Sequence, residues 1–245
     1  MSLPKDLVDD LELVRVPAGC FEMGSPVGEA GRWDAEGPQH TVTVAGVLLG
    51  RAPVTQAQWR AAAQLPPVDR ALDPSPSQFE GDRLPVENVS WHDAVEFCRR
   101  LSQSSGRDFR LPSEAEWEHA CRAGTRSAFH CGDVLGDEAA NFWSANPLGH
   151  TTPVASYPAN AFGLHDMHGN VFEWCADGWH FGYPGAPADG KPWLEGAYPN
   201  YRPLRGGAWC TLPRGCRSAY RSAAHQSRDH RINANGFRVA VSLAD

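Results

Sequence analysis

The sequence predicts an α+β fold, and three observations predict it. Two capped amphipathic helices lie between residues 90 and 123, and strand-like apolar runs precede them. Beyond Gly124 no helical period appears, only Gly, Pro, Asn, Trp and Arg between short apolar stretches such as Phe237-Arg-Val-Ala-Val. With 245 residues and no break in composition, the chain reads as one domain spanning 1–245. Its 24 Gly and 20 Pro forecast much irregular structure.

Taken in order, the run from Leu11 to Ser25 alternates apolar and polar residues around Pro-Ala-Gly, the pattern of a β-hairpin. His40 to Val44 reads as a strand. A helix is expected from Thr55, whose hydroxyl can cap Gln58 while Gln58 reaches back, with Trp59 and Ala62 turned inward. Residues 64 to 85, with five prolines, read as loop. The first main helix follows Ser90 and puts Ala94, Phe97, Cys98 and Leu101 on one face. The second follows Ser113, where Ser113 and Glu116 make a capping box and Trp117, Ala120 and Cys121 share a stripe. Trp59, Trp91, Trp117 and Trp174 read as core.

Charge and cysteine usage exclude several functions. A net charge of -7 argues against a sequence-independent nucleic-acid binder, which needs a basic face to release phosphate counterions. No stretch is long and apolar enough for membrane insertion, and the acidic N-terminus is unlike a signal peptide. Seven cysteines leave at least one thiol unpaired within the chain, which fits a cytoplasmic location. Neither Cys-x-x-Cys nor His-Glu-x-x-His occurs, and His165 and His168 lack a third ligand, so zinc is not expected. Lys5 and Lys191 are the only lysines; arginine, suited to fixed bidentate contacts, supplies the remaining positive charge.

Eight segments in order carry a resemblance. They are Val16-Pro-Ala-Gly-Cys-Phe-Glu-Met-Gly-Ser25, Glu36-Gly-Pro-Gln-His40, Pro53-Val-Thr-Gln-Ala-Gln-Trp59, Pro85-Val-Glu-Asn-Val-Ser-Trp91, Arg110-Leu-Pro-Ser-Glu-Ala-Glu-Trp-Glu118, Phe162 to Trp174, Leu204-Arg-Gly-Gly-Ala-Trp209 and Gly236-Phe-Arg-Val239. Together they resemble the formylglycine-generating-enzyme, or sulfatase-modifying factor, family. The resemblance implies a C-type-lectin-like fold with two main helices and a loop-rich β half. A fold of this kind carries many activities, so function must be argued from sites.

Around the Gly169-Asn170 turn, two carboxylates seven residues apart can converge with backbone oxygens, as a hard cation requires. A salt bridge or turn is the competing reading of the same residues. The resemblance implies structural calcium, with side-chain oxygens from Asp166 and Glu173 and carbonyls from Gly169 and Val171. The family's second calcium loop is poorly matched, with only Asn141-Phe142 retained.

In the family's enzymes two cysteines hold copper and a protein cysteine is oxidised to formylglycine. The candidates here are Cys210 and Cys216, but five residues separate them instead of four, and the segment is about three residues shorter than the family's pattern. Cys216 better matches the buried cysteine found before Arg-Ser-Ala in non-catalytic relatives, so catalytic chemistry is the alternative reading and no catalytic residue is expected.

The last forty residues are also similar to the variable region of diversity-generating-retroelement target proteins. Mutated template adenines there give codon sets that exclude Lys, Glu, Gln, Met and Trp, and from Cys210 to Asn235 only Gln226 breaks that rule. A polar binding loop could show the same composition. The segment, about 205–240, is therefore expected to bind a protein or other ligand through Cys210, Thr211, Leu212, Arg214, Tyr220, Ser222, His225, Arg228, Asp229, His230, Ile232 and Asn233, held by a frame of Gly206, Gly207, Arg217, Arg221, Gly236 and Arg238.

Overall fold

A computed structural model describes Leu7 and residues 10–222 and 228–243. Strands β1 (Leu13–Val16), β2 (Gly19–Met23), β3 (His40–Val44) and β4 (Val47–Gly50) come first. Helices α1 (Gln56–Ala63) and α2 (Trp91–Ser105), strand β5 (Phe109–Arg110) and helix α3 (Glu114–Arg122) follow. Short strands β6 (Phe172–Trp174), β7 (Leu204–Arg205), β8 (Asn235–Gly236) and β9 (Ala240–Ser242) complete the order, separated by long irregular segments. This is the α+β arrangement expected, with the two main helices and the shorter α1 that follows Thr55. Among the described residues no helix is long and apolar enough to cross a membrane.

Helices α1, α2 and α3 start where their caps predict. Thr55, Ser90 and Ser113 each accept a hydrogen bond from the third helical residue, whose side chain returns to the cap amide. Gly106, at φ +73°, ends α2 in the left-handed conformation that glycine adopts without steric cost. On α2 the stripe of Ala94, Phe97, Cys98 and Leu101 is buried. It packs with Trp59 of α1 and Phe237, whose rings lie 5.7 and 5.2 Å from that of Phe97.

The expected hairpin from Leu11 to Ser25 does not form. β1 pairs with β4 and β2 with β3, so Pro17 and Ala18 carry the chain from one sheet to another. Alternation gives a strand its two faces but not its partner, and each half found a different one. The four-stranded sheet runs β1-β4-β9-β5, placing the C-terminal strand at its centre; β7-β6-β8 form a separate three-stranded sheet. Trp91 also departs from expectation: unlike Trp59, Trp117 and Trp174 it is only half-buried.

Candidate binding surface

The frame is built on α3. Every residue from Glu114 to Arg122 is buried, although the sequence gives this helix a polar face. That face meets arginines instead of water. Glu114 receives Arg221 through two bonds of 2.8 and 2.7 Å, and Glu118 is paired with both Arg122 and Arg205. Arg221 also donates to the carbonyls of Ala35 and His180 and lies 4.5 Å from the ring centres of Trp179 and Tyr183. Arg217 grips Glu36 and Glu29, and Arg238 grips Glu173. The arginines were legible as structural; their acidic partners were not, being far away in the chain.

Two glycines let this frame close. Gly206 and Gly207 have φ of +90° and +76°, and a Cβ on Gly207 would stand 2.4 Å from Cys216 Sγ. The chain then emerges at Trp209, whose indole donates to the Asn233 carbonyl at 2.9 Å and whose ring packs edge-on against Phe79. That bond joins two loops. In the first, Cys210, Leu212 and Arg214 are exposed and Thr211 half-buried, its carbonyl accepting from Trp143. In the second, Asp229 is exposed, while Arg228, His230, Ile232 and Asn233 are half-buried. Tyr220 is half-buried near Gly215.

Ser222 is the exception to the expected display. It is 2% exposed and its amide donates to the Leu204 carbonyl, because Arg221 beside it draws the backbone inward. His225 lies outside the described residues.

Cys210 and Cys216 differ in setting. Cys210 is at the surface, whereas Cys216 is fully buried beneath Gly207 among Ala128, Phe129 and Phe142. Burial raises the pKa of both thiols, and Cys210 adds to the rise at Cys216. Copper(I) is bound by thiolates, so one surface thiol and one buried, protonated thiol do not fit that group.

The four residues considered for calcium are neighbours with different commitments. Asp166 is buried, accepts a single hydrogen bond from the Ala155 amide, and has its pKa pushed up to about 6, mainly by burial. A buried carboxylate with so little compensation suits a hard cation. Glu173 is otherwise engaged: Arg238 holds both its oxygens and Trp117 Nε1 donates to one at 2.7 Å. Gly169 and Asn170, at φ +79° and +61°, form the expected turn, and Val171 directly precedes β6. His165 and His168 face apart. His165 contacts the Tyr157 carbonyl and Arg51; His168 contacts the Cys216 carbonyl and the His130 amide.

Comparison with known proteins agrees with this architecture. The formylglycine-generating enzyme of Mycobacterium tuberculosis is 31% identical over 302 residues, covering 94% of this chain and 97% of that protein. Serine/threonine-protein kinase pkn1 of Chlamydia caviae is 32% identical over 252 residues, covering 95% of this chain; the chain spans only 38% of that relative. Among solved structures, PvdO from Pseudomonas aeruginosa superposes with a TM-score of 0.84 at 36% identity, over 94% of each chain. Treponema denticola variable protein 1 superposes with a TM-score of 0.78 at 25% identity, again over 94% of each. The fold is the C-type-lectin-like one. With the sulfatase-modifying factor enzyme 1-like domain matching residues 3–243, the chain belongs to that family.

Proposed function

We propose that this chain is a ligand-binding module of the variable-protein kind, in which a rigid family scaffold displays the loops of residues 210–214 and 228–233 to a protein or other ligand. One observation carries the reading: the buried Arg205, Arg217, Arg221 and Arg238 are pinned to distant carboxylates, while among the described residues between them Cys210, Leu212, Arg214 and Asp229 are exposed. An exposed side chain between fixed anchors can change without disturbing the core. The likeness to the Treponema variable protein supports it. Sequencing the locus tests it. A reverse-transcriptase gene beside a near-copy of the segment encoding residues 210–235 is expected, with substitutions in a population confined to that segment; an isolated, invariant gene refutes the variable reading.

A structural calcium at Asp166, completed by the Gly169 and Val171 carbonyls, belongs to the same proposal. Glu173 would join only by leaving Arg238. Metal bound to the native state alone stabilises it by mass action, so a chelator should lower the Tm of the purified protein. An unchanged Tm with no calcium in the preparation removes this part.

The second reading is a copper-dependent oxidase converting a protein cysteine to formylglycine or making a related redox modification. It is favoured by the likeness to the mycobacterial enzyme and opposed by the burial of Cys216. Aldehyde formation on a Cys-x-Pro-x-Arg peptide with added copper would establish it over the binding module.

A further inference from the structure

Arg202 and Arg228 both reach Trp91, and among the described residues neither forms an ion pair. The Arg202 guanidinium lies 4.6 Å over the indole, while the Arg228 carbonyl accepts from the Trp91 amide and its own amide donates to Asn200. Both side chains are half-buried, and among the described residues the Nε of each is shut off from solvent with no hydrogen-bond partner. Of the nearby carboxylates, Asp93 caps Ser90 and holds Arg231 at 2.8 and 3.0 Å, and Asp177 accepts from the amides of Glu114 and Trp193, while the exposed Asp229 stands 3.7 Å from His92.

A partly desolvated guanidinium without an ion-pair partner destabilises the fold, and a second one near it does so more. Burial first, and Arg228 second, press the pKa of Arg202 down, opposed by the more weakly acting Asp177 carboxylate. His92 beside them is lowered by burial and then by Arg70, so it adds a ring nitrogen rather than a charge at neutral pH. The first turn of α2, beginning at Trp91, adds the partial positive charge of a helix N-terminus. All this positive character sits on a chain with a net charge of -7. Guanidinium pairs with unspent donors match the geometry of carboxylate and phosphate oxygens.

We propose that Arg202 and Arg228 form an oxyanion-binding site over Trp91 that takes a carboxylate- or phosphate-bearing ligand. The proposal rests on the binding-module reading only in that Arg228 belongs to the displayed loops; Arg202 lies outside them.

The test is calorimetric titration with inorganic phosphate and, separately, acetate at constant ionic strength, on the parent protein and on R202Q, R228Q and R15Q, the last an exposed arginine of β1 outside the displayed loops. Saturable binding is expected in the parent and in R15Q, weakened about tenfold or more in R202Q and in R228Q, as loss of a charge-assisted bond implies. Tighter phosphate than acetate binding identifies a phosphate site, and the reverse a carboxylate site. Thermal melts without anion separate this role from a structural one: removing an uncompensated cation should leave Tm unchanged or higher. R202K and R228K, which keep the charge, serve if a glutamine variant fails to fold, and they should bind more weakly than the parent. No saturable binding of either anion, or binding unchanged in R202Q and R228Q, overturns the proposal whatever the locus shows about variability.

Discussion

The Trp209 indole donates its Nε1 hydrogen to the Asn233 carbonyl at 2.9 Å, so one side chain of the frame fastens the two displayed loops to each other. Trp209 is itself fixed, its amide donating to Asn170 and its ring lying edge-on to Phe79 at 5.5 Å. Trp209→Phe keeps a ring against Phe79 and removes the donor. The expected cost is about 1 kcal/mol, the net worth of one hydrogen bond. Amide hydrogen exchange should speed up in residues 228–235 and leave α2 unchanged. Equal protection in both proteins would mean that the bond does not tie the loops.

The displayed side chains themselves should be replaceable. Cys210, Leu212 and Arg214 are exposed, with Leu212 at 47%, and Ile232 is half-buried at the rim of the second loop. Replacing all four with serine should shift stability little, since surface changes usually stay within about 0.5 kcal/mol each. A cooperative melt within a few degrees of the parent is the expected result. A collapsed melt would place these residues in the core and move the binding surface elsewhere.

The anchors should behave in the opposite way. Arg221→Ala strands Glu114 in the interior without its bidentate partner and leaves the Ala35 and His180 carbonyls unpaired. Breaking a buried pair from one side costs about 3–5 kcal/mol. Adding Glu114→Gln removes the stranded charge and should recover part of that loss in a double-mutant cycle. If the single and double variants melt together, the pair is not what Arg221 contributes.

How much of this was legible in the sequence follows from how local each signal is. A capping box spans four residues, so Thr55, Ser90 and Ser113 announced their helices correctly. The Leu11–Ser25 alternation announced strands but not partners, because pairing with β4 and β3 is decided far along the chain. The same limit applies to α3. Its glutamates look like a solvated face until Arg205 and Arg221, about a hundred residues later, arrive to meet them. Cys216 could be read as buried from the residues after it, and Ser222 could not, since its burial depends on where Arg221 points. The Arg202–Arg228 pair left no signal, for neither residue lies in a family motif.

The acidic interior also leaves a pH signature. Asp177 is fully buried, its two oxygens accepting from the Trp193 and Glu114 amides, and its pKa is pushed up to about 7 by burial first and by the Glu114 carboxylate second. In the unfolded chain an aspartate titrates near about 4. Between those values the native state holds a proton that the unfolded state has lost, so Asp177's contribution to stability is present below pH 4 and is lost as pH rises to about 7. Above that it is flat. The slope from one such group is at most about 1.4 kcal/mol per pH unit, reduced wherever other groups titrate in the same window. Asp177→Asn removes the titration. It also faces one backbone N–H with an amide nitrogen, an unpaired donor costing about 1–3 kcal/mol. The variant should therefore be less stable than the parent at pH 4 and close the gap by pH 8, as read from urea unfolding midpoints across the range. Parallel pH profiles for the two proteins would show that Asp177 carries no proton in the native state.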